Sequence, residues 1–500
     1  MDHKFTADLT SNQLGKDGTS QYATFLPAIS NAFTTVIGRA RMDPTYFAPS
    51  RIPQNFEHGV EGMNWLNPNE GYFKYRWSLY SAGHANLDLA KDDPGELMIK
   101  DRDRDHTWLL GDSGGFQIGK GVWEGDWKDP SCPKAMAKRR QVLTWLDTLM
   151  DYGMVLDIPV WVVRFADRRK KTGINSYADA VTATSINNEY FMQNRNGNCK
   201  FLNVLQGENH TQADMWYNDM KQYCDPRKHT DPFNGWGMGG QNMCDIELIL
   251  KRLVALRHDG LLERGKQDRM HFLGTSKLEW AVLLTDIQRA IRKYHNSNFT
   301  ITFDCASPFL AAANGQIYRE IITEGGRKWT YRMEGGVDNK AYAKDTRQFK
   351  DVVLGDGLFK SFEDSPISRR CMIKDVCPYS PGDLNRIGKE GKTSWDTLTY
   401  SILMSHNAYM HIESVQRANR AADAGQLPSM LTASFDDHDA WIFKDIINEI
   451  FATSDRGRSL QLIHDHKHIW HKIMGTRGFT GPKALNTNTK VDQHFERIEA

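Results

Sequence analysis

The chain has 500 residues, of which 40% are hydrophobic and 25% charged, and this composition suits a globular protein with a large core in one large domain or a few smaller ones. Its 14 Trp and 23 Phe argue against extensive disorder, and the absence of a long apolar run argues against a membrane span. The net charge of +1 excludes a globally basic nucleic-acid binder, so any such surface must be local.

The first residues, MDHKFTADLTSNQ, are polar and lack the apolar stretch of a signal peptide. The seven cysteines are scattered along the chain, which is typical of a reducing compartment. We therefore expect a cytoplasmic protein. Residues 1–60 are expected to be irregular because Pro27, Pro44, Pro49 and Pro53 interrupt any long element.

After residue 105, short β-like runs alternate with longer segments of helical spacing. The predicted strands are HTWLLGDS, MVLDIPVWVV, KFLNVLQGEN, NGWGMGGQN, RMHFLGTS and FTITFDCASP. Helical patterns such as MAKRRQVLTWLDTLMDYG and LEWAVLLTDIQRAIRKY separate them. Repeated alternation in one direction predicts an α/β fold, a (β/α)8 TIM barrel in preference to an open sheet.

Several of the predicted strands end in an acid or an amide. These residues are Asp112, Asp157, Gln206 and Asp304. In a barrel their side chains would converge on one face. Two carboxylates there suit a double displacement at a glycosidic bond, and an Asp with a Gln can read the edge of a purine. For Asp112 alone, an ordinary strand-to-helix turn with a helix cap is the alternative.

These residues resemble, in order along roughly residues 105–320, motifs of the tRNA-guanine transglycosylases and their DNA-acting relatives. The matching segments are DSGGFQ (112–117), LDIP, VLQG (204–207), MGGQ (238–241), HFLGTS (271–276) and FDCASPFLAAANG (303–315). Further along, MSHNAYMH (404–411) is similar to the helix that carries a zinc-ligand histidine in that family. Any one short match is weak, whereas the ordered set is specific.

The resemblance implies a role for each matching position. Asp304 would attack the ribosyl C1′ and hold a covalent intermediate, while Asp112 would act as general acid and base. Asp157 and Gln206 would read the purine edge, and Phe116 would stack on the base. The full set implied for substrate binding is Ser113, Phe116, Asp157, Gln206, Gly239, Gly240 and Leu273. The implied reaction exchanges guanine for a 7-deazaguanine and uses no nucleotide cofactor.

The resemblance also implies a structural zinc ion. The family motif has three cysteines and a distant histidine, whereas this chain offers Cys371, Cys377 and His406. A structural zinc wants four ligands, and His411 or Asp375 is a candidate for the fourth. Two buried thiols with a core histidine are the alternative.

Other departures point to DNA as the polymer. Pro308, Phe309 and Leu310 stand where the tRNA enzymes carry basic residues that hold the anticodon loop. The chain is closest in character to the DNA-acting enzymes of phages and bacterial genomic islands, which insert preQ0 or a derivative. The target guanine would have to be flipped out of the duplex. The segment DRRKKTG (167–173), expected to be a loop on the active face, would contact phosphates.

The expected organisation is a transglycosylase barrel over 1–345, a zinc-type subdomain and helix over 346–440, and a helical extension and tail over 441–500. The expected setting is the cytoplasm of a bacterial or phage-infected cell. The expected partners are DNA and a free 7-deazaguanine base, with no membrane, and a homodimer is one option for the oligomeric state. The alternatives are a tRNA-guanine transglycosylase, a non-catalytic nucleic-acid-binding subunit and an unrelated TIM-barrel hydrolase.

Overall fold

The computed structural model describes residues 5–323, 329–336, 340–351, 363–378, 395–428, 431 and 442–474. Their centre is a sheet of eight parallel strands that curls into a nearly closed barrel, which confirms the predicted α/β fold of TIM-like type. In chain order the barrel strands are β1 (Thr24–Pro27), β2 (Trp77–Ser81), β3 (Trp108–Asp112), β4 (Tyr152–Met154), β5 (Lys200–Leu205), β6 (Gly235–Met238), β7 (Arg269–Phe272) and β8 (Thr300–Cys305).

From β2 to β8, each barrel strand pairs with the next one in the chain, and β8 returns to pair with β1. The remaining seam lies between β1 and β2. Just after β1, Ala28 forms a parallel bridge with Leu79, and the backbone N–H of Ile29 donates to the carbonyl of Leu79 over 2.9 Å. Because all pairings are parallel, the carboxyl ends of the strands meet at one rim of the barrel.

Helices follow the strands and cover the outside of the barrel. They are α1 (Asn31–Met42), α2 (Pro94–Lys100), α3 (Pro133–Leu149), α4 (Ala166–Thr172), α5 (Tyr177–Asn194), α6 (His210–Met220), α7 (Ile246–His258), α8 (Leu278–Tyr294) and α9 (Ser307–Ala313). Helix α8 shows why these segments form helices that pack on the barrel. Leu283, Ile287 and Ile291 recur at the helical period and are fully buried, whereas Lys293 near its end is exposed.

The expectation that residues 1–60 are irregular is wrong, because β1 and α1 lie there. Pro27 is the last residue of β1, where a missing N–H does not interrupt the ladder. Pro44 follows Asp43, the C-cap of α1. The prolines thus mark the ends of these elements and do not prevent them.

A two-stranded antiparallel hairpin, β9 (Gln316–Ile322) and β10 (Thr330–Gly335), follows α9. The later helices are α10 (Thr397–Asp423), α11 (Ile442–Ala452), α12 (Arg456–Asp465) and α13 (Lys467–Met474). Helix α10 packs against both α1 and α8 and so completes the outer ring between them, while α11 packs on α8 and α12 on α7.

Small elements complete the described chain. Short strands at Ala7–Asp8 and Phe73–Lys74 pair with each other, and short helices occupy Leu9–Gln13, Gly115–Gly119 and Ile373–Val376. Within the described ranges, no helix combines the length and the apolar character needed to cross a membrane. The expected loose tail after residue 475 lies outside the described residues.

Candidate active site

The rim at the carboxyl ends of the strands gathers the four polar residues expected there. Asp112 is the last residue of β3, Asp304 the penultimate residue of β8, and Gln206 directly follows β5. Asp157 lies three residues beyond the end of β4. The backbone N–H of Val155 still donates to the carbonyl of Leu202 on β5, and after that bond the chain leaves the sheet on its way to Pro159. The predicted long strand over residues 154–163 is therefore wrong beyond its first residue: Met154 ends β4, and Val160–Arg164 is a 3-10 helix.

Asp112 is held from the neighbouring strand. Ser81 is its register partner on β2, and the Ser81 hydroxyl donates to Asp112 Oδ2 over 2.6 Å. Burial raises the pKa of Asp112, the hydrogen bond from Ser81 opposes that rise, and the charge of Asp304 adds to it. A carboxyl whose pKa is raised keeps its proton more readily, and proton donation to a leaving group requires that property.

Asp157 and Gln206 form a buried pair. The amide Nε2 of Gln206 donates to Asp157 Oδ2 over 2.7 Å. Gln206 is 8% exposed and Asp157 is 7% exposed. Burial raises the pKa of Asp157 to about 7; the Gln206 hydrogen bond lowers it and the charge of Asp112 raises it further. A carboxylate in this position has too few protein donors, so N–H groups of a bound ligand would stabilise its charge.

Glycines allow the backbone to close tightly around this pair. A Cβ on Gly115 would lie 2.5 Å from the carbonyl oxygen of Asp157 and 3.1 Å from its Oδ1. Gly240 has a φ of +55°, and a Cβ there would lie 2.3 Å from the carbonyl oxygen of Gly207. A Cβ on Gly239 would meet Gln206 Nε2 at 2.7 Å. The expected Gly-Gly loop therefore lies directly against the amide of Gln206.

Asp304 is held through one oxygen. The backbone N–H of Gly274 donates to Oδ1 over 2.9 Å, and the Nε2 atom of His271 lies 3.2 Å from the same oxygen. His271 is fully buried, whereas the side chain of Asp304 is 13% exposed at the rim. Asp112, Asp157 and Asp304 all lie at or just beyond the carboxyl ends of barrel strands, so the three carboxyl groups share one rim, and the charge of Asp304 raises the pKa of Asp112.

The other residues expected to bind substrate occupy different environments. The hydroxyl of Ser113 is fully buried and donates to the carbonyl of Val155 over 3.2 Å, so it joins the loop after β3 to the β4 segment. Phe116 is half-buried beside Trp161, with 5.8 Å between ring centroids. Leu273 is also half-buried and packs on the core just before Gly274.

The basic segment 168–171 was expected to be a loop, and this is wrong: it belongs to α4. The guanidinium of Arg168 lies 3.9 Å from the centroid of the Phe165 ring. Arg169 donates to the carbonyl of Val163 over 2.7 Å. The Lys171 Nζ atom lies 3.6 Å from Glu124 Oε1, in an ion pair at the surface. The helix follows Asp157 in the chain, so its charges stand beside the rim.

The residues expected to bind zinc do not fit a metal site in the described part of the chain. Both ring nitrogens of His406 are engaged: Nδ1 lies 2.7 Å from the Ser365 hydroxyl and Nε2 lies 2.8 Å from the carbonyl oxygen of Tyr318. Burial lowers the pKa of His406 to about 4 and raises that of the Cys371 thiol well above its usual value. Cys377 is buried as well.

No group of three or more His, Cys, Asp or Glu side chains able to hold a metal occurs among the described residues. His411, one candidate for a fourth ligand, stacks on Phe25 at 4.3 Å and lies 3.2 Å from the Tyr331 hydroxyl. The carboxylate of Asp375, the other candidate, accepts from the backbone N–H of Met372 over 2.7 Å. We therefore derive no step through a metal.

Sequence reasoning missed three residues that hold the candidate catalytic carboxyls. Ser81 lies on a strand that was not predicted. His271 and Gly274 lie within a quoted segment, HFLGTS, from which only Leu273 was selected. The signal for His271 was its position in β7, where it is the register partner of Thr302 of β8, two residues before Asp304.

Comparison of the chain with protein-family models gives no match. Comparison with curated protein sequences likewise gives no match. The chemistry of the site itself must therefore indicate the function.

The arrangement is suited to a substitution at a carbon atom, in which one group bonded to that carbon is replaced by another. Asp304 offers a partly exposed carboxylate, Asp112 is a carboxyl that retains a proton readily, and Asp157 with Gln206 offers acceptors and a donor at the same rim. Such a set could supply a nucleophile, a general acid and base, and polar groups that recognise the edge of a ligand.

Proposed function

We propose that the chain is a guanine transglycosylase that exchanges guanine in DNA for a 7-deazaguanine base, preQ0 or a derivative, through a covalent Asp304 intermediate. The observation that carries this proposal is the position of three carboxyl groups at the carboxyl ends of barrel strands, one of them held through a single oxygen. The order of the transglycosylase-like motifs along the chain supports the same chemistry.

In the first half of the reaction, a carboxylate oxygen of Asp304 forms a bond to C1′ of the target nucleotide while the bond from C1′ to N9 of guanine breaks. Asp112 gives its proton to the departing base, so guanine leaves neutral. In the second half, the incoming 7-deazaguanine gives the proton on its ring nitrogen to Asp112. That nitrogen attacks C1′ and Asp304 departs as a carboxylate. Atoms and charges balance, and both bases use the same acid and base.

We assign recognition of the base to the buried pair of Asp157 and Gln206. The Asp157 carboxylate can accept hydrogen bonds from the N–H groups of guanine, and the Gln206 amide supplies both a donor and an acceptor. Because Asp157 is buried, these bonds form in a medium of low dielectric constant and discriminate strongly against bases without matching N–H groups.

The choice of DNA is supported by the short helix after Asp304. Phe309 is 2% exposed and packs against Phe33 and Trp65, so α9 offers core residues where the resembling tRNA enzymes carry basic ones. Positive charge stands instead on α4, where Lys170 is exposed. Contacts of that kind bind phosphates without reading sequence.

The decisive experiment incubates the full chain with matched DNA and tRNA substrates and labelled guanine or preQ0. We expect incorporation into DNA, and a protein–DNA adduct that survives a denaturing gel. Asp304→Asn should abolish the adduct, whereas the control Asp231→Asn, at an exposed position that precedes β6, should not. Incorporation into tRNA alone would move the reaction to that polymer, and no incorporation into either would refute the proposal.

A further inference from the structure

We infer that His271 is a positioning residue for Asp304: its Nε2–H holds Oδ1, so that Oδ2 is the oxygen that bonds to C1′. This inference rests on the proposed function. Its basis is the contact set of Asp304, in which Oδ1 receives Gly274 N–H at 2.9 Å and faces His271 Nε2 at 3.2 Å. Within the described chain, no residue forms a hydrogen bond with Oδ2.

The protonation of the ring follows from its partners. An ionised carboxylate can only accept hydrogen bonds, so Nε2 of His271 must carry the proton that faces Asp304. On the other side, Nδ1 lies 3.0 Å from the hydroxyl of Thr302, whose proton can go to Nδ1 or to the carbonyl oxygen of Met270 at 3.5 Å, and the shorter contact favours Nδ1. A ring with its proton on Nε2 therefore satisfies both contacts: Asp304 sets the tautomer, and Thr302 holds the ring in place.

Burial keeps the ring in one place. The side chain of His271 is fully buried between neighbouring strands, and its two contacts lead to Thr302 and Asp304 of the same strand, β8. Side chains two residues apart on a strand point to the same face, so the imidazole spans both of them. The carboxylate cannot rotate to exchange its oxygens without breaking the contacts to Oδ1.

The two donors on Oδ1 matter most when Asp304 leaves. In the covalent intermediate Oδ2 is bonded to C1′ and Oδ1 is a carbonyl oxygen. When the incoming base displaces Asp304, negative charge returns to the carboxylate and is shared by Oδ1. Fixed donors at an oxygen that gains charge lower the barrier of that step. Loss of the donor from His271 should therefore slow discharge of the intermediate.

The test measures how fast a preformed adduct disappears when guanine or preQ0 is added. His271→Phe removes both ring nitrogens, and we expect discharge to slow by roughly tenfold to a hundredfold, as loss of one hydrogen bond to a charged group implies. In His271→Gln the side-chain amide places an N–H near the position of Nε2, so discharge should remain close to the wild-type rate. Thr302→Val keeps the Nε2–H but frees the ring, and should give an intermediate rate.

Three results separate this inference from the proposed function. Discharge at the wild-type rate in both His271→Phe and Thr302→Val would overturn the positioning role while leaving the transglycosylase intact. Equal slowing in His271→Gln and His271→Phe would also overturn it, because a packing role depends on shape and not on the donor. Absence of an adduct in the wild-type protein, with DNA and with tRNA, would refute the proposed function and this inference with it.

Discussion

The side-chain amide of Gln206 donates to Asp157 Oδ2 over 2.7 Å, and among the residues that the structure describes this is the one side-chain hydrogen bond to the buried carboxylate. Burial nevertheless raises the pKa of Asp157 to about 7. A ligand that donates hydrogen bonds to this group would offset the cost of charging it, so the proposed base binding should be sensitive to pH.

We expect the affinity for free guanine or preQ0 to fall as the pH drops through about 7, since only the ionised Asp157 accepts from the N–H groups of the base. Calorimetric titration between acidic and mildly alkaline pH measures this. Asp157→Asn should bind weakly at every pH and lose the dependence. An unchanged pH dependence in that variant would assign the titration to another group.

The same carboxyl should affect stability in the opposite direction. Its pKa is raised on folding, from 3.8 to about 7, so the folded state binds the extra proton and stability falls as the pH rises through that interval. Above pH 7 the loss amounts to roughly 4 kcal/mol at most, at about 1.4 kcal/mol for each pKa unit. Urea unfolding of Asp157→Asn should therefore show a gain over wild type at pH 8 that shrinks toward pH 5. An equal gain in stability at pH 8 and at pH 5 would contradict the raised pKa of Asp157.

Ser81→Ala should change the pH profile of adduct formation. The hydrogen bond from Ser81 lowers the pKa of Asp112, so its loss lets Asp112 keep its proton to higher pH. The alkaline limb of the profile, where the general acid loses its proton, should move upward by about one pH unit or less, as expected for one hydrogen bond. A limb that stays in place would argue that another group donates the proton.

Gly115→Ala should abolish base binding while the barrel remains folded. A Cβ there would lie 2.5 Å from the carbonyl oxygen of Asp157, so the loop that carries Gly115 and the backbone of Asp157 must separate, which disturbs the Asp157–Gln206 pair. The control is Gly335→Ala, because among the described residues no atom beyond its own chain neighbours lies within 4 Å of its added Cβ. Binding of preQ0 and thermal unfolding of both variants test this. Wild-type affinity in Gly115→Ala would remove Asp157 from the base site.

The charges on α4 should bind DNA phosphates. Lys170→Ala combined with Lys171→Ala removes two exposed charges beside the rim. The control changes Arg264 and Lys266 to Ala, which removes two exposed charges that precede β7 at the opposite end of the barrel. We expect the slope of log affinity against log salt to fall by about one to two in the first variant and to stay unchanged in the second. Equal slopes in both would place the DNA elsewhere.

Local pattern was enough to predict most of the barrel. Strands such as β3, β5, β7 and β8 carry buried apolar runs, and helices such as α3 and α8 repeat apolar residues at the helical period, so these elements are visible within their own segments; β4 is the exception, because most of it lies in a segment of helical spacing. The acid or amide at the ends of four of these segments, among them Asp112 and Asp304, was visible in the same way. Because parallel strands end at a common rim, the sequence alone predicts that these side chains meet.

Tertiary structure decided the rest. Strand β1 has only four residues and one proline, and its pairing with β8 and its bridge to β2 identify it as part of the barrel. His271 is one more polar residue in an apolar strand until the register of β7 on β8 sets its ring between Thr302 and Asp304. His406 matches a zinc-ligand motif in sequence, yet packing of α10 turns both of its nitrogens to Ser365 and Tyr318. A side chain's chemistry depends on partners that are distant in the chain, and only the folded backbone brings them within hydrogen-bond distance.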